Sequence, residues 1–260
     1  MNGIAGRGKV SGMPEFAIIG GTGLTSLQNL EIVRREVMHT PCGEPSGALT
    51  HGVLGGTEVV FLARHGDAHT IAPHRVNYRA NLWALKETGA RRIIAVCAVG
   101  GISKDMSPRA LSIPDQIIDY TWSREHTFFD AGRSQVTHID FTRPYCEDLR
   151  GVLISAAAAT GIEVVPHGTY GATQGPRLET AAEINRMERD GCDMVGMTGM
   201  PEAALARELD LCYAHCAVSA NWAAGRSAGM IEMSEIDENL AHSMQEIGKL
   251  LMYVMENIRA

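Results

Sequence analysis

Glu15-Phe16-Ala17-Ile18-Ile19-Gly20-Gly21-Thr22-Gly23-Leu24 is an apolar run of strand length that breaks into a glycine-rich turn. Such a turn lets backbone N–H groups approach an anion closely, and the threonine hydroxyl adds a donor. It lacks the register of a dinucleotide-binding GxGxxG and the Lys-Ser/Thr ending of a Walker A loop. Further strand-type runs follow at 58–63, 92–97, 116–120, 194–198 and 211–217. Between them, apolar residues recur at spacings of three and four over 77–88, 145–159, 180–189, 201–208 and 235–258, which predicts helices. Strands alternating with helices predict an α/β fold.

The chain has 260 residues, 45% hydrophobic and 20% charged, enough for one large domain without disulfide or metal staples. Its 30 acidic and 23 basic residues give a net charge of -7, which disfavours nucleic acid and anionic membranes as partners. No apolar run reaches the roughly 18–20 residues of a membrane span. Residues 1–12 lack the apolar core of a secretory signal and read as a flexible extension or tag, with 13–260 as one domain.

Six scattered cysteines without a CxxC pair predict reduced thiols and a cytoplasmic protein. In Cys212-Tyr213-Ala214-His215-Cys216, strand alternation puts both cysteines on one face as small hydrophobes, so no metal site is expected. The stretch 120–144, rich in Thr, His, Phe, Asp and Arg, predicts a long excursion from the sheet.

Several strand ends carry groups suited to an oxyanion. Arg64-His65-Gly66 follows one strand and offers a forked cation and an imidazole capable of charge-assisted donation. Cys97-Ala98-Val99-Gly100-Gly101 reads as a strand opening into bare amides. Met197-Thr198-Gly199-Met200-Pro201-Glu202 places a hydroxyl and free N–H groups where a strand gives way to a helix. One oxyanion held by Thr22, Arg64, His65 and Thr198 accounts for the set.

Together with Val76-Asn77-Tyr78, Gly175-Pro176-Arg177 and Asn221, these motifs resemble the trimeric nucleoside phosphorylase family over about residues 15–258. The resemblance implies a single α/β domain whose central sheet is mixed, partly barrel-like and flanked by helices. It implies a pentosyltransferase that cleaves a purine–ribosyl bond with inorganic phosphate as co-substrate and needs no metal or organic cofactor. Phosphate binding then falls on Thr22, Arg64, His65, the Cys97-Ala98 backbone and Thr198, with Met197 along the ribose.

Residues His65, Glu179 and Asn221 take the catalytic positions, while Trp222 and Ala223 adjoin the base. In this family, 6-oxopurine enzymes pair a Glu with an Asn, whereas methylthioadenosine enzymes have a small hydroxyl residue and two aspartates. Glu179, Asn221 and Ala223 match the first pattern. At the 5′ end, where nucleoside enzymes carry a histidine, Ile236 and Leu240 supply an apolar wall. His138 matches a histidine that reaches a neighbouring subunit's pocket, implying a homotrimer. The combined expectation is phosphorolysis of S-methyl-5′-thioinosine. Methylthioadenosine, or inosine and guanosine, stay open as alternative substrates, since an amide such as Asn221 can flip to accept from an amino group.

Overall fold

The computed structural model describes residues 14–24, 27–130 and 136–258; the expected extension over 1–12 lies outside them. In chain order the strands are β1 (Phe16–Gly20), β2 (Glu31–Glu36), β3 (Leu49–Leu54), β4 (Thr57–Ala63), β5 (Arg92–Gly101), β6 (Leu111–Ser112), β7 (Gln116–Asp119), β8 (Val164–Val165), β9 (Thr169–Ala172), β10 (Met194–Gly196) and β11 (Cys212–Trp222). The helices are α1 (Tyr78–Glu87), α2 (Glu147–Thr160), α3 (Ala181–Arg189), α4 (Gly199–Glu208) and α5 (Met233–Asn257). All five expected helices form. Among the described residues, no helix is long and apolar enough to cross a membrane.

The strands build one mixed sheet in the order β2-β3-β4-β1-β5-β10-β9-β7, with a branch in which β11 pairs with β5 and β6, and β6 with β8. Strand β1 is buried at every position, as expected where parallel strands have both faces covered. Its side chains alternate between two cores: Phe16 and Ile18 join a cluster under α2 and α5, and Ala17 and Ile19 join one under α1 and α4. Helix starts follow local chemistry. Asn77 accepts from the Ala80 N–H ahead of α1, and Thr180 with Glu183 forms a reciprocal capping box at α3.

Strand β5 creates the site. It runs parallel to β1 only as far as Ala95, and β10 joins the chain antiparallel at Gly100 and Gly101. Residues 96–99 therefore lack a neighbouring strand along that edge, while β11 continues to pair on the other. This corrects the expectation that the strand itself opens at its glycines. Gly100 and Gly101 remain in the ladder, and a Cβ on Gly101 would lie 1.7 Å from the Met106 carbonyl oxygen. The opening exists because the partner strand ends.

A second correction concerns the cysteines. Cys146, just before α2, and Cys212, at the start of β11, form a disulfide with Cα atoms 5.1 Å apart. Cys42, Cys97, Cys192 and Cys216 are free. The alternation reading holds, since Cys212, Ala214 and Cys216 all pack on the same core cluster, but the packing of α2 also brings Cys146 to that face.

Candidate active site

A cavity of about 320 Å³ opens where β1, β4, β10 and β11 end, along residues 97–100 of β5. Ligands in open α/β sheets bind at such strand ends. Gly21, Thr22, Arg64, His65, Cys97, Ala98 and Thr198 line one part of it, and Met197, Glu179, Asn221, Ala223 and Ile236 line the rest. Residues from seven separate stretches of sequence thus converge as expected. Three do not. Leu240 packs into the core beneath the glycine turn, Trp222 is half-buried beside the cavity, and His138 is exposed away from it. Leu240 lies one helical turn beyond Ile236, deeper along the same stripe of α5.

Arg64 is fully buried. Its Nε and Nη2 donate to the two carboxylate oxygens of Glu202 at 2.7 and 2.8 Å, and Nη1 donates to the Val96 carbonyl at 3.0 Å. A guanidinium has five N–H groups, so one on each terminal nitrogen remains for the cavity. Burial works against its charge, but the Glu202 carboxylate outweighs that and holds the pKa of Arg64 above its ordinary value. Gly21 makes room for this arrangement: a Cβ there would lie 2.9 Å from Nη1 and 2.6 Å from the Val96 oxygen. Glu202, also fully buried, belonged to one of the sequence motifs but was given no role there, because an acid in the first turn of a helix is usually exposed and favoured by the helix dipole.

His65 differs from its expected role. Its Nδ1 lies 2.8 Å from the Ile71 carbonyl oxygen, which can only accept, so Nδ1 carries the hydrogen. Burial, and then the neighbouring Arg64 charge, push its pKa down to about 4. The ring is neutral at pH 7, and Nε2 is an acceptor rather than a charge-assisted donor. Because the unfolded chain takes up a proton near the ordinary value of 6.5 and the folded chain refuses it until about 4, stability falls as the pH drops through that window. The expected loss at His65 is roughly 2–3 kcal/mol by about pH 4.5. Urea midpoints measured from neutral pH downward should fall less steeply in His65→Gln, and parallel curves for the two proteins would refute this assignment.

Thr198 precedes α4, and its hydroxyl makes no capping bond, which leaves it available to a ligand. Its backbone N–H donates to the Tyr170 hydroxyl at 3.2 Å. Thr22 Oγ1 stands 3.5 Å from His69 Nε2, so two loops meet across the cavity mouth.

The remaining part of the cavity is shaped by a bulge. The register of β11 against β5 shifts between Ser219 and Asn221, so Ala220 is extra and both Ala220 and Asn221 reach the cavity. Simple alternation would have sent them to opposite faces. Asn221 Nδ2 donates to the Trp222 carbonyl at 2.7 Å. Glu179 is held by the Thr173 hydroxyl, which donates to its Oε1 at 2.6 Å. Ile231 and Ile236 form an apolar wall.

Arg124 was absent from the sequence-based set. It comes from the 120–144 excursion, whose described residues contain no strand or helix, and is buried against the site. It donates to the carbonyls of Met197, Met200, Thr173 and Gln174 at 2.6–3.0 Å. One cation thereby ties together the segments that carry Thr198 and Glu179. No local pattern announces it, because all four acceptors are backbone atoms.

The chain is 54% identical over 243 residues to a probable S-methyl-5′-thioinosine phosphorylase of Pseudomonas syringae pv. tomato, covering 94% of this chain and 99% of that protein. It is 49% identical to a 6-oxopurine nucleoside phosphorylase of Pyrococcus furiosus, covering 92% and 91% of the two chains. Among solved structures, a methylthioadenosine phosphorylase from Schistosoma mansoni in complex with adenine superposes with a TM-score of 0.90 at 32% identity, covering 93% of this chain and 91% of that one. Residues 15–256 match the family model described as the phosphorylase superfamily, and with these relatives matching nearly end to end, the chain belongs to that superfamily.

Proposed function

We propose that this protein is a pentosyltransferase that phosphorolyses S-methyl-5′-thioinosine, giving hypoxanthine and 5-methylthioribose 1-phosphate. The observation that carries the choice of base is the Glu179 carboxylate, fixed by Thr173, in a cavity where Ala223 offers no second carboxylate. A 6-oxopurine presents an N1–H donor that Glu179 accepts, whereas adenine turns a bare N1 acceptor toward it and leaves both groups unpaired. The apolar wall of Ile231 and Ile236 suits a methylthio group better than a hydroxyl. The names of the Pseudomonas and Pyrococcus relatives support the same combination.

Inorganic phosphate occupies the pocket of Thr22, Arg64, His65, Thr198 and the Cys97-Ala98 backbone. The free N–H groups of Arg64 meet its charged oxygens, and His65 Nε2 accepts from the oxygen that bears a proton. Phosphate held beside C1′ attacks as the bond to the purine lengthens and the sugar takes on oxocarbenium character. Asn221 receives the negative charge that gathers on the departing base. Positioning of this kind supplies roughly 7–11 kcal/mol in well-oriented systems, and donors preorganised toward developing charge supply more. Purine nucleoside and phosphate are the two substrates, with no metal or organic cofactor. The protein acts as a cytoplasmic homotrimer in which the exposed His138 reaches a neighbouring copy's pocket.

The test is phosphate-dependent release of base from methylthioinosine, methylthioadenosine and inosine, at equal enzyme concentration. Methylthioinosine should lead methylthioadenosine by about 100-fold or more in kcat/KM, and inosine by roughly 10- to 200-fold. A lead for methylthioadenosine would overturn the base assignment, and a lead for inosine would overturn the 5′ assignment.

A further inference from the structure

Behind the arginine of the phosphate pocket lies a line of buried polar side chains that the reaction does not touch. Tyr213 Oη donates to Glu202 Oε1 at 2.7 Å. His215 Nε2 stands 2.6 Å from that same Tyr213 oxygen, and His215 Nδ1 stands 3.1 Å from Tyr145 Oη. All four residues are at most 2% exposed.

The direction of every bond in this line follows from counting hydrogens. The carboxylate of Glu202, ion-paired with Arg64, can only accept. Tyr213 has one hydroxyl hydrogen and gives it to Glu202, so the bond between Tyr213 and His215 must be donated by Nε2. Burial, and then the Arg64 charge, push the pKa of His215 well below its ordinary value, so the ring is neutral and Nδ1 accepts from Tyr145. The hydrogens run one way: Tyr145 to His215, His215 to Tyr213, Tyr213 to Glu202. Bonds aligned in this way polarise and strengthen one another.

This alignment matters for the anion pocket. Glu202 holds two N–H groups of Arg64 and so competes with any ligand for the guanidinium charge. A third donor on the carboxylate draws part of its charge away from Arg64 and fixes the plane of the fork, which aims the two free N–H groups into the cavity. Phenylalanine would fill the space of Tyr213 equally well but could do neither. We infer that Tyr213 and His215 are positioning residues for phosphate, acting through Glu202 on Arg64. The inference rests on the phosphorolytic reading of the site.

Its test is Tyr213→Phe in the full chain, with KM measured separately for phosphate and for nucleoside. Inorganic phosphate binding to the nucleoside-free protein is read in parallel by calorimetry. The KM for phosphate and its calorimetric Kd should both rise about tenfold, the effect of losing a hydrogen bond to a charged group. The KM for nucleoside should stay within about twofold, because nothing in the line reaches that part of the cavity. If Tyr213→Phe fails to fold, Tyr145→Phe decides, since it removes only the outermost donor and should raise the phosphate KM by about two- to threefold. A merely structural role would lower thermal stability and leave the phosphate KM unchanged, or raise both KM values alike; either result overturns the inference. Wild-type protein that shows no phosphate-dependent turnover would overturn the functional reading instead.

Discussion

Glu202→Ala is expected to destabilise the fold by about 3–5 kcal/mol and to abolish phosphate-dependent turnover, the largest effect foreseen for any single substitution in this chain. The reason lies in Arg64. Its guanidinium is fully buried, cannot shed its proton, and has Glu202 as its ion-pair partner. With the carboxylate gone, Arg64 keeps the Val96 carbonyl but carries an uncompensated charge in the core. Tyr213 loses its acceptor at the same time. Equilibrium urea unfolding should show a lower midpoint with little change in slope, and any folded fraction should bind phosphate weakly because the fork is no longer fixed. Glu202→Gln keeps the volume and one acceptor oxygen, so it should fall between wild type and alanine. A loss below about 1 kcal/mol in Glu202→Ala would show that Arg64 finds another partner and that the pair is not what holds the anion pocket together.

The second large effect is a reversal of base preference. Asn221→Asp combined with Ala223→Asp should shift the ratio of kcat/KM toward methylthioadenosine by about 100-fold or more. Both positions line the cavity, Asn221 brought in by the bulge at Ala220 and Ala223 held by its N–H on the Gly101 carbonyl at 2.8 Å. Two carboxyl groups placed there cannot both ionise easily, because burial and mutual repulsion raise one pKa. The protonated one donates to a purine ring nitrogen, and the ionised one accepts from the 6-amino group, a pairing that a 6-oxopurine cannot return. Steady-state kinetics on the two nucleosides measure the ratio directly. An unchanged ratio would mean that Asn221 and Ala223 do not face the base.

The depth to which the site could be read from residues alone varied with the range of the physical cause. The glycine turn, Arg64-His65 and Thr198 were legible because each sits where an apolar strand run stops, and that stop is a local property. The five helices were legible because their burial follows a period of 3.6 residues. Strand β2 escaped notice because its residues are mostly exposed at the sheet edge and show no alternation. Strand β9, Thr169–Ala172, is too short and glycine-interrupted to stand out from a loop. The expected charge-assisted donation by His65 failed because burial and the neighbouring Arg64 charge keep its ring neutral, and both act only in the folded core.

Periodicity and turn chemistry in the sequence by itself determined the α/β class and the strand ends that carry the anion pocket, and the family resemblance pointed to Glu179, Asn221 and Ile236 for the rest of the cavity. Only the tertiary structure decided that β1 stops short of β5 and leaves the gap, that Glu202 lies beneath Arg64 from 138 positions away, that Arg124 ties two walls together, and that Cys146 meets Cys212. Alternation and helical spacing act between neighbours a few residues apart, whereas the pairing of buried charges, hydroxyls and thiols is set by strand order, which brings together side chains that no local pattern connects.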